Sequence, residues 1–383
     1  MTVFDRAAAE IDLGVIAGNL NLVRERAGTA DVMAVVKADA YGHGMVPVAR
    51  QARASGIAWL GVALPSEALA LRAAGDTGRI LAWLWTPGDS DVAACVAQGI
   101  DLSVSSRWTL DEVVAAATTT GVAAKVHVKI DSGLSRNGIT VDEWPALIPH
   151  LGAAVADGTV VLEALWSHLA DGDVPGSSTV ADQRGHFDAA VSLAKARGLD
   201  PARLHLGNSG TLFAHPDTRL DLVRVGIAMY GLTPHPALGS ARELGLVPAM
   251  TLTARLANVK PVAAGTRVSY GGTWTAAAHT TLGLVPVGYA DGIPRSASSR
   301  GEVSVGGRRA TIAGCVAMDQ FVIDLGPESA AAAGDVVHIF GPGQHGEPTA
   351  DDWAQMTGSI GYEIVTRLGP RVPRRYLSSE GAG

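Results

Sequence analysis

The feature that most constrains this chain is an alternation, between about residues 30 and 230, of short apolar runs with longer Ala/Leu-rich segments of helical period. Val32 to Val36 is the first run, β-branched and bounded by Asp31 and Lys37. Trp59 to Ala63, Ile80 to Leu84, Ile100 to Val104 and Val126 to Ile130 come next, then Val160 to Trp166, Arg203 to Leu206 and Leu222 to Val225. Helical segments lie between them. Pro65-Ser66-Glu67 opens Ala68 to Ala74 and Gly75 stops it, while Val180 to Arg197 closes at Gly198. Eight strands with helices between them match the count of an α/β protein built as a (β/α)8 TIM-type barrel. A doubly wound sheet alternates in the same way, and a short apolar run is also compatible with a buried helix turn, so the count leaves both open.

After about residue 240 the texture changes. Thr251 to Val259, Thr280 to Pro286, Ala310 to Ile312, Phe321 to Leu325 and Val336 to Phe340 are β-rich, separated by Gly and Pro turns, with no long helix until about Ala350. At 383 residues the chain exceeds one ordinary core. The expected division is therefore a barrel over 10–238 and a mostly-β domain over 239–383, joined by residues 1–9. Hydrophobic residues at 47% against 17% charged suit a large buried interior. A net charge of -7, with no basic run longer than two residues, leaves a nucleic-acid or membrane-surface role without electrostatic support. The two cysteines, Cys95 and Cys315, form no metal spacing and fit a reducing cytosol, with Cys315 read as a small buried filler. Met1 to Glu10 carries charges and lacks the apolar core of a signal peptide, and no stretch has the roughly 18 apolar residues of a membrane span. The expectation is a soluble, cytoplasmic protein.

Polar residues gather just after several of the strands, which in a barrel means its C-terminal face, where such enzymes place their sites. Lys37 ends the first strand, and a partly desolvated lysine has the lowered pKa that suits Schiff-base chemistry. Alone it reads more simply as a solvated strand-end lysine. His168 follows the sixth strand, Asn208-Ser209-Gly210-Thr211 the seventh, and Arg224-Val225-Gly226-Ile227 lies at the eighth. Loops after the last two barrel strands often bind phosphate through converging backbone N–H groups, and Ser209, Gly226 and Ile227 would supply donors. Each of these also reads as ordinary turn chemistry. Together, a strand-end lysine facing a phosphate cradle specifies a lysine-bound phosphorylated cofactor, and pyridoxal 5'-phosphate is that cofactor.

The segment Ala34-Val35-Val36-Lys37-Ala38-Asp39-Ala40-Tyr41-Gly42-His43-Gly44 resembles the cofactor-lysine motif of alanine racemases. The resemblance continues through Lys129-Ile130-Asp131-Ser132-Gly133-Leu134-Ser135-Arg136-Asn137-Gly138, Asn208-Ser209 and Val223-Arg224-Val225-Gly226-Ile227. It extends to Ser269-Tyr270-Gly271, Val287-Gly288-Tyr289-Ala290-Asp291-Gly292, Ala317-Met318-Asp319-Gln320, Gly361-Tyr362-Glu363-Ile364 and Arg371-Val372-Pro373-Arg374. It thus spans nearly the whole chain in one order. The departures are modest: Leu134, Gly207, Val225, Cys315 and Ala317 stand where other residues are commoner, the last two beside Met318.

The resemblance implies that Lys37 holds the cofactor and is one catalytic base, and that Tyr270 is the other, reaching the site of a second copy in a homodimer. It implies phosphate contacts from Tyr41, Ser209, Gly226, Ile227 and Tyr362, an arginine at the pyridine nitrogen in Arg224, and a histidine beside the cofactor in His168. Arg136 and Met318 match substrate-carboxylate contacts, Tyr289 matches a residue at the pocket entrance, and Lys129 matches a lysine carbamylated in many members. The implied reaction is interconversion of L- and D-alanine for peptidoglycan. Racemisation removes a proton from one face of the α-carbon and returns it to the other, so two bases must flank it. A tyrosine near pKa 10 needs cationic neighbours to serve as one, and His168 with Arg224 or Arg136 is the expected set. An arginine at the ring nitrogen stays charged and leaves that nitrogen neutral, which favours quick reprotonation over transamination.

Three other readings compete. A serine or broad-spectrum racemase of the same family would differ only in pocket shape, where Trp83, Trp85 and Tyr362 point to a tight one. A single methylene is worth only about 1–3 kcal/mol, so some leak to serine is expected in any case. A decarboxylase on the same barrel would need an acidic partner at the ring nitrogen, against Arg224. A non-enzymatic cofactor carrier would have no use for the domain that bears Tyr270.

Overall fold

The computed structural model describes residues 6–377. Residues 1–5, within the segment expected to join the β domain, and residues 378–383 lie outside the described part. The first strand, β1 (Ala7–Asp12), runs into the helix Leu13–Ala27, whose start is capped by Asp12 accepting from the Val15 N–H at 2.9 Å. The barrel strands follow as β2 (Asp31–Val35), β3 (Trp59–Val62), β4 (Arg79–Ala82), β5 (Asp101–Val104) and β6 (Ala124–Asp131). A two-residue strand, β7 (Ile139–Thr140), pairs with β6 outside the ring. Then come β8 (Val160–Trp166), β9 (Arg203–His205) and β10 (Leu222–Val225).

All eight predicted runs are strands, four of them ending one or two residues earlier than expected. They pair in parallel in the order β10-β2-β3-β4-β5-β6-β8-β9. The pairing of β10 with β2 decides between the two open topologies, because a doubly wound sheet leaves its outer strands as edges. The ring closes where the Asp221 N–H donates to the Leu204 carbonyl (3.1 Å) and the Arg224 N–H to the Gly207 carbonyl (3.0 Å). Helices begin and end where the sequence marks them, as in Pro65–Ala73 and Ser178–Ala196.

The second domain is built from β11 (Met250–Arg255), β12 (Asn258–Val262), the small hairpin β13 (Arg267–Val268) and β14 (Trp274–Thr275), and β15 (Thr280–Val285). It continues with β16 (Glu302–Val305), β17 (Arg308–Ile312), β18 (Phe321–Gly326), β19 (Val336–Phe340) and β20 (Arg374–Leu377). Among the described residues, nine strands form one sheet in the order β12-β15-β18-β17-β16-β19-β11-β1-β20. Thr251 to Val259, one β-rich segment in the sequence, spans two strands. At the break the Leu256 N–H donates to the Asp335 carbonyl (2.9 Å) and the Ala257 N–H to the Leu284 carbonyl (2.8 Å), so the chain leaves one neighbour strand for another there. The helix expected near Ala350 is Ala350–Thr357.

One apolar core runs through both domains. Buried Tyr230 donates to the Val35 carbonyl (2.9 Å), tying the chain beyond β10 to the end of β2. Asn19 spans the domain connection, donating to the Met229 (3.2 Å) and Val247 (2.8 Å) carbonyls and accepting from the Val247 N–H. Arg374 donates to the carbonyls of Gly42, Leu368, Gly369 and Val372, which fastens β20 to the loop after β2. Gly231 sits at the same connection with φ +83°, and a Cβ there would lie 1.7 Å from the Val247 carbonyl oxygen. Gly231→Ala is expected to destabilise the fold by at least about 2 kcal/mol, because left-handed strain adds to a backbone clash. Urea denaturation reads this, and an unchanged midpoint would show that the connection yields freely.

Candidate active site

The C-terminal ends of the barrel strands surround a cavity of about 1120 Å³. Lys37 lies at its edge, one residue beyond Val36, where the chain leaves β2. The next four residues, Ala38, Asp39, Ala40 and Tyr41, all have φ between +53° and +55°, a left-handed turn made without glycine. Such a conformation costs roughly 1–2 kcal/mol per residue and persists only where the surroundings impose it. Here Glu67 accepts from the Ala38 N–H (2.6 Å), Asp39 accepts from the Met45 N–H (2.7 Å), and Gly42 closes the turn against the Val365 carbonyl. The strained turn gives the Lys37 backbone no slack. Burial, then the charge of Arg136, lowers the pKa of the Lys37 amine, and the Trp83 ring lies 5.7 Å from it.

Arg224 forms the floor. It is buried, and the bonds it makes go to carbonyls and imidazoles: Ser167 O (2.9 Å), Leu206 O (3.1 Å), His205 O (3.2 Å), His205 Nδ1 (3.1 Å) and His168 Nδ1 (3.3 Å). Burial brings its pKa down to about 9, which still leaves it charged at neutral pH. Lys129 stands nearby, 4.7 Å from the Trp166 ring, with its pKa lowered to about 8 by burial and by Arg224. His168 is held neutral, first by burial and then by Arg224, Arg136, Lys129 and Lys37.

The same cavity holds a cradle of small donors. Ser209 Oγ accepts from the Gly226 N–H (3.0 Å), Ile227 follows in the same buried loop, and the Tyr41 and Tyr362 rings lie 6.1 Å apart at its side. A Cβ on Gly226 would lie 2.3 Å from the Tyr41 hydroxyl, so only glycine leaves the cradle open. Burial raises the pKa of both tyrosine hydroxyls, which keeps them as neutral donors. Lys37, Lys129, Arg136 and Arg224 give the cavity positive charge suited to a phosphate and a carboxylate together.

The structure therefore brings Lys37, Tyr41, Lys129, Arg136, His168, Ser209, Arg224, Gly226, Ile227 and Tyr362 to one cavity. It does not bring Tyr270, Tyr289 or Met318 there. These three are 75%, 43% and 53% exposed, on adjoining loops of the β domain. The Tyr289 N–H donates to Ala317 O (3.0 Å), and Ser269 Oγ donates to Cys315 O (2.9 Å). Ser269, at φ +64°, holds the Tyr270 turn out from the domain. Cys315 is only partly buried, its thiol 3.6 Å from the Tyr270 carbonyl, because it packs under this projecting turn and not in the interior. Sequence reasoning missed Glu67, Asp101, His127 and His205. Their signal was a polar residue within or beside an apolar run, such as Asp101 in Ile100 to Val104 and His127 in Val126 to Ile130.

Behind the cavity, His43 is wholly buried against Tyr230 (4.5 Å between rings) and burial lowers its pKa to about 4. Its unfolded value is about 6.5. Below that pH the unfolded chain takes up a proton that the folded chain refuses, so stability falls as pH drops from about 6.5 to 4. His168 and His205, also lowered, act in the same direction, while Asp351, raised to about 6, opposes them by an amount comparable to one of the histidines. His43 alone withdraws on the order of 3 kcal/mol across that window. Urea midpoints at pH 7 and pH 5 are expected to differ accordingly, and equal midpoints would contradict three buried neutral imidazoles.

Comparison with known proteins matches residues 11–234 to the alanine racemase N-terminal domain and residues 249–376 to the alanine racemase C-terminal domain. The chain is 52% identical to an alanine racemase of Frankia casuarinae, over 97% of this chain and 96% of that protein. The alanine racemase of D-cycloserine-producing Streptomyces lavendulae superposes with a TM-score of 0.95 at 51% identity, over 97% of each chain. A Bacillus anthracis alanine racemase with bound L-Ala-P superposes with a TM-score of 0.90 at 32% identity, covering 99% of this chain and 97% of that one. Both domains match and the likeness spans nearly the whole chain, and the chain belongs to the alanine racemase family.

Proposed function

We propose that this protein interconverts L- and D-alanine with pyridoxal 5'-phosphate, as a cytoplasmic homodimer that supplies D-alanine for peptidoglycan. The observation that carries the reading is Lys37, its pKa lowered, in one positively charged cavity with a buried Arg224 whose bonds go to carbonyls and imidazoles. The residues fit the cofactor. Lys37 would hold it covalently, Ser209, Gly226, Ile227, Tyr41 and Tyr362 its phosphate, and Arg224 and His168 its ring. Once bound, it supplies an electron sink that makes the α-hydrogen of an amino acid acidic.

The chain's own residues do the rest. Lys37 moves a proton at its amine on one face of the α-carbon. Arg136 binds the substrate carboxylate, and Lys129, carbamylated or not, stands beside it. Arg224 presents a fixed positive charge to the ring nitrogen and so disfavours its protonation, which keeps the reaction on racemisation. Tyr270 is the second base. Its exposure on a domain loop, outside the cavity of its own chain, supports delivery from a second copy together with Met318 and Tyr289. The alanine analogue named with the Bacillus anthracis relative supports alanine over serine as substrate.

An assay of the purified protein on L-alanine, D-alanine and L-serine tests the reading: fast exchange with both alanines and only slow exchange with serine is expected. Serine as the preferred substrate, or no exchange at all, would reject it. The shared site has its own test. A Lys37→Ala chain and a Tyr270→Ala chain, each inactive, are expected to recover activity when mixed and reassembled, since one hybrid site then holds both bases. Proven heterodimers without activity would reject delivery of Tyr270 between copies.

A further inference from the structure

A chain of buried polar groups runs through the barrel interior from Arg224 away from the cavity. Arg224 Nη1 lies 3.1 Å from His205 Nδ1, His205 Nε2 lies 2.9 Å from His127 Nδ1, and His127 Nε2 lies 3.0 Å from Asp101 Oδ2. The same carboxylate oxygen accepts from Arg79 Nη2 at 2.5 Å, and Arg79 also pairs with Glu163 at 3.0 Å. Asp101 and Arg79 are the first residues of β5 and β4, whereas His205 ends β9. The chain therefore crosses the barrel from one mouth to the other. Asp101, His127 and His205 have no measurable exposure.

Proton accounting gives the chain one direction. Asp101 is an acceptor, so His127 must carry its hydrogen on Nε2 and leave Nδ1 bare. His205 must then donate from Nε2 and leave its own Nδ1 bare, which is the acceptor that Arg224 requires. The opposite polarity needs either a protonated Asp101 or a doubly protonated His127, and in both cases sets an N–H of His205 against an N–H of Arg224. Each imidazole packs against an indole ring, which resists its turning over. His205 stacks on Trp166 (5.3 Å, 7°), and His127 meets Trp59 edge-on at 5.4 Å. Barrel interiors of this kind are filled by branched apolar residues, and a buried ion pair contributes no more stability than well-packed apolar groups of similar volume. The fold alone does not call for this chain.

We propose that Asp101 and His127 are positioning residues for Arg224, holding His205 in the single tautomer that accepts from its guanidinium. Arg224 then keeps one orientation and one proton inventory in the cavity, fixed by a carboxylate at the far end of the barrel. This rests on the reading of Arg224 as the residue that faces the cofactor ring.

The test uses the full-length protein as purified, labelled with 15N at histidine, in wild-type, His127→Phe and Asp101→Asn forms. In the wild type, the His205 and His127 resonances are expected to show hydrogen on Nε2 and a bare Nδ1. His127→Phe keeps an aromatic ring but removes the acceptor for His205, so the His205 signals are expected to move toward a mixture of tautomers. Asp101→Asn, whose amide oxygen still accepts from His127, is expected to move them less. In kinetics, His127→Phe is expected to lower kcat by about tenfold with KM little changed, the scale of one lost hydrogen bond. Pyruvate formed per racemisation is expected to rise by a similar factor, and Asp101→Asn to fall between. A wild-type His205 protonated on Nδ1 overturns the proposal even if neither variant folds. So does a His127→Phe protein whose His205 signals and product ratio match the wild type. The spectra need no substrate, so they stand or fall apart from the alanine reading.

Discussion

The site depends on one buried cation. Placing the Arg224 guanidinium at the centre of the barrel removes it from water, and an unpaired charge there is strongly disfavoured. The structure answers with five acceptors from the ends of two strands and their loops, none of them a carboxylate. An acid at that distance would neutralise the field that Arg224 projects into the cavity. Carbonyls and neutral imidazoles satisfy its N–H groups while leaving its charge in place. Its charge adds to burial in keeping His168 and His205 neutral and in lowering the pKa of the Lys129 amine, whereas that of Lys37 is lowered by burial and then by Arg136.

A second constraint is mechanical. Lys37 is joined to four successive left-handed residues without glycine, a conformation the chain would abandon if released. Glu67 from the neighbouring helix, Asp39 within the turn and the packing of Gly42 against Val365 hold it. Arg374 of the β domain holds it too, through the Gly42 carbonyl. The β domain thus serves the lysine of its own barrel while presenting Tyr270 outward. Lys37 lines the cavity while Tyr270 lies exposed outside it, which is the arrangement the proposed sharing of a site between two copies requires.

Much of this was legible in the sequence because barrel strands are locally encoded. An apolar run bounded by turn residues marks a strand wherever it sits, and polar residues at its end mark the site face. Lys37, His168, Ser209 and Arg224 were readable in this way. The β-rich segment Thr251 to Val259 was not readable as parts of two strands, because the break reflects a change of hydrogen-bond neighbour and not a change of residue type. β16 and β20, each four residues long, were missed as well; β16 pairs with its hairpin neighbour β17 and with β19, and β20 with β1 from the other end of the chain. Cys315 was misplaced because residue type indicates a preference for burial but not the projecting turn above it.

By itself, the sequence determined the alternation of strand and helix, the change to a β-rich domain, the family, and which side chains end which strands. These follow from local pattern and ordered motifs. Tertiary structure alone decided that the eight strands close through β10 and β2, that ten site residues share one cavity while Tyr270, Tyr289 and Met318 stand apart, and that Asp101 reaches Arg224 through two imidazoles. Each of these depends on distances between residues far apart in the chain, between 19 and 78 positions for the links of that last network. Local pattern places a polar residue inside an apolar strand, but only the closed barrel fixes which other strand it meets.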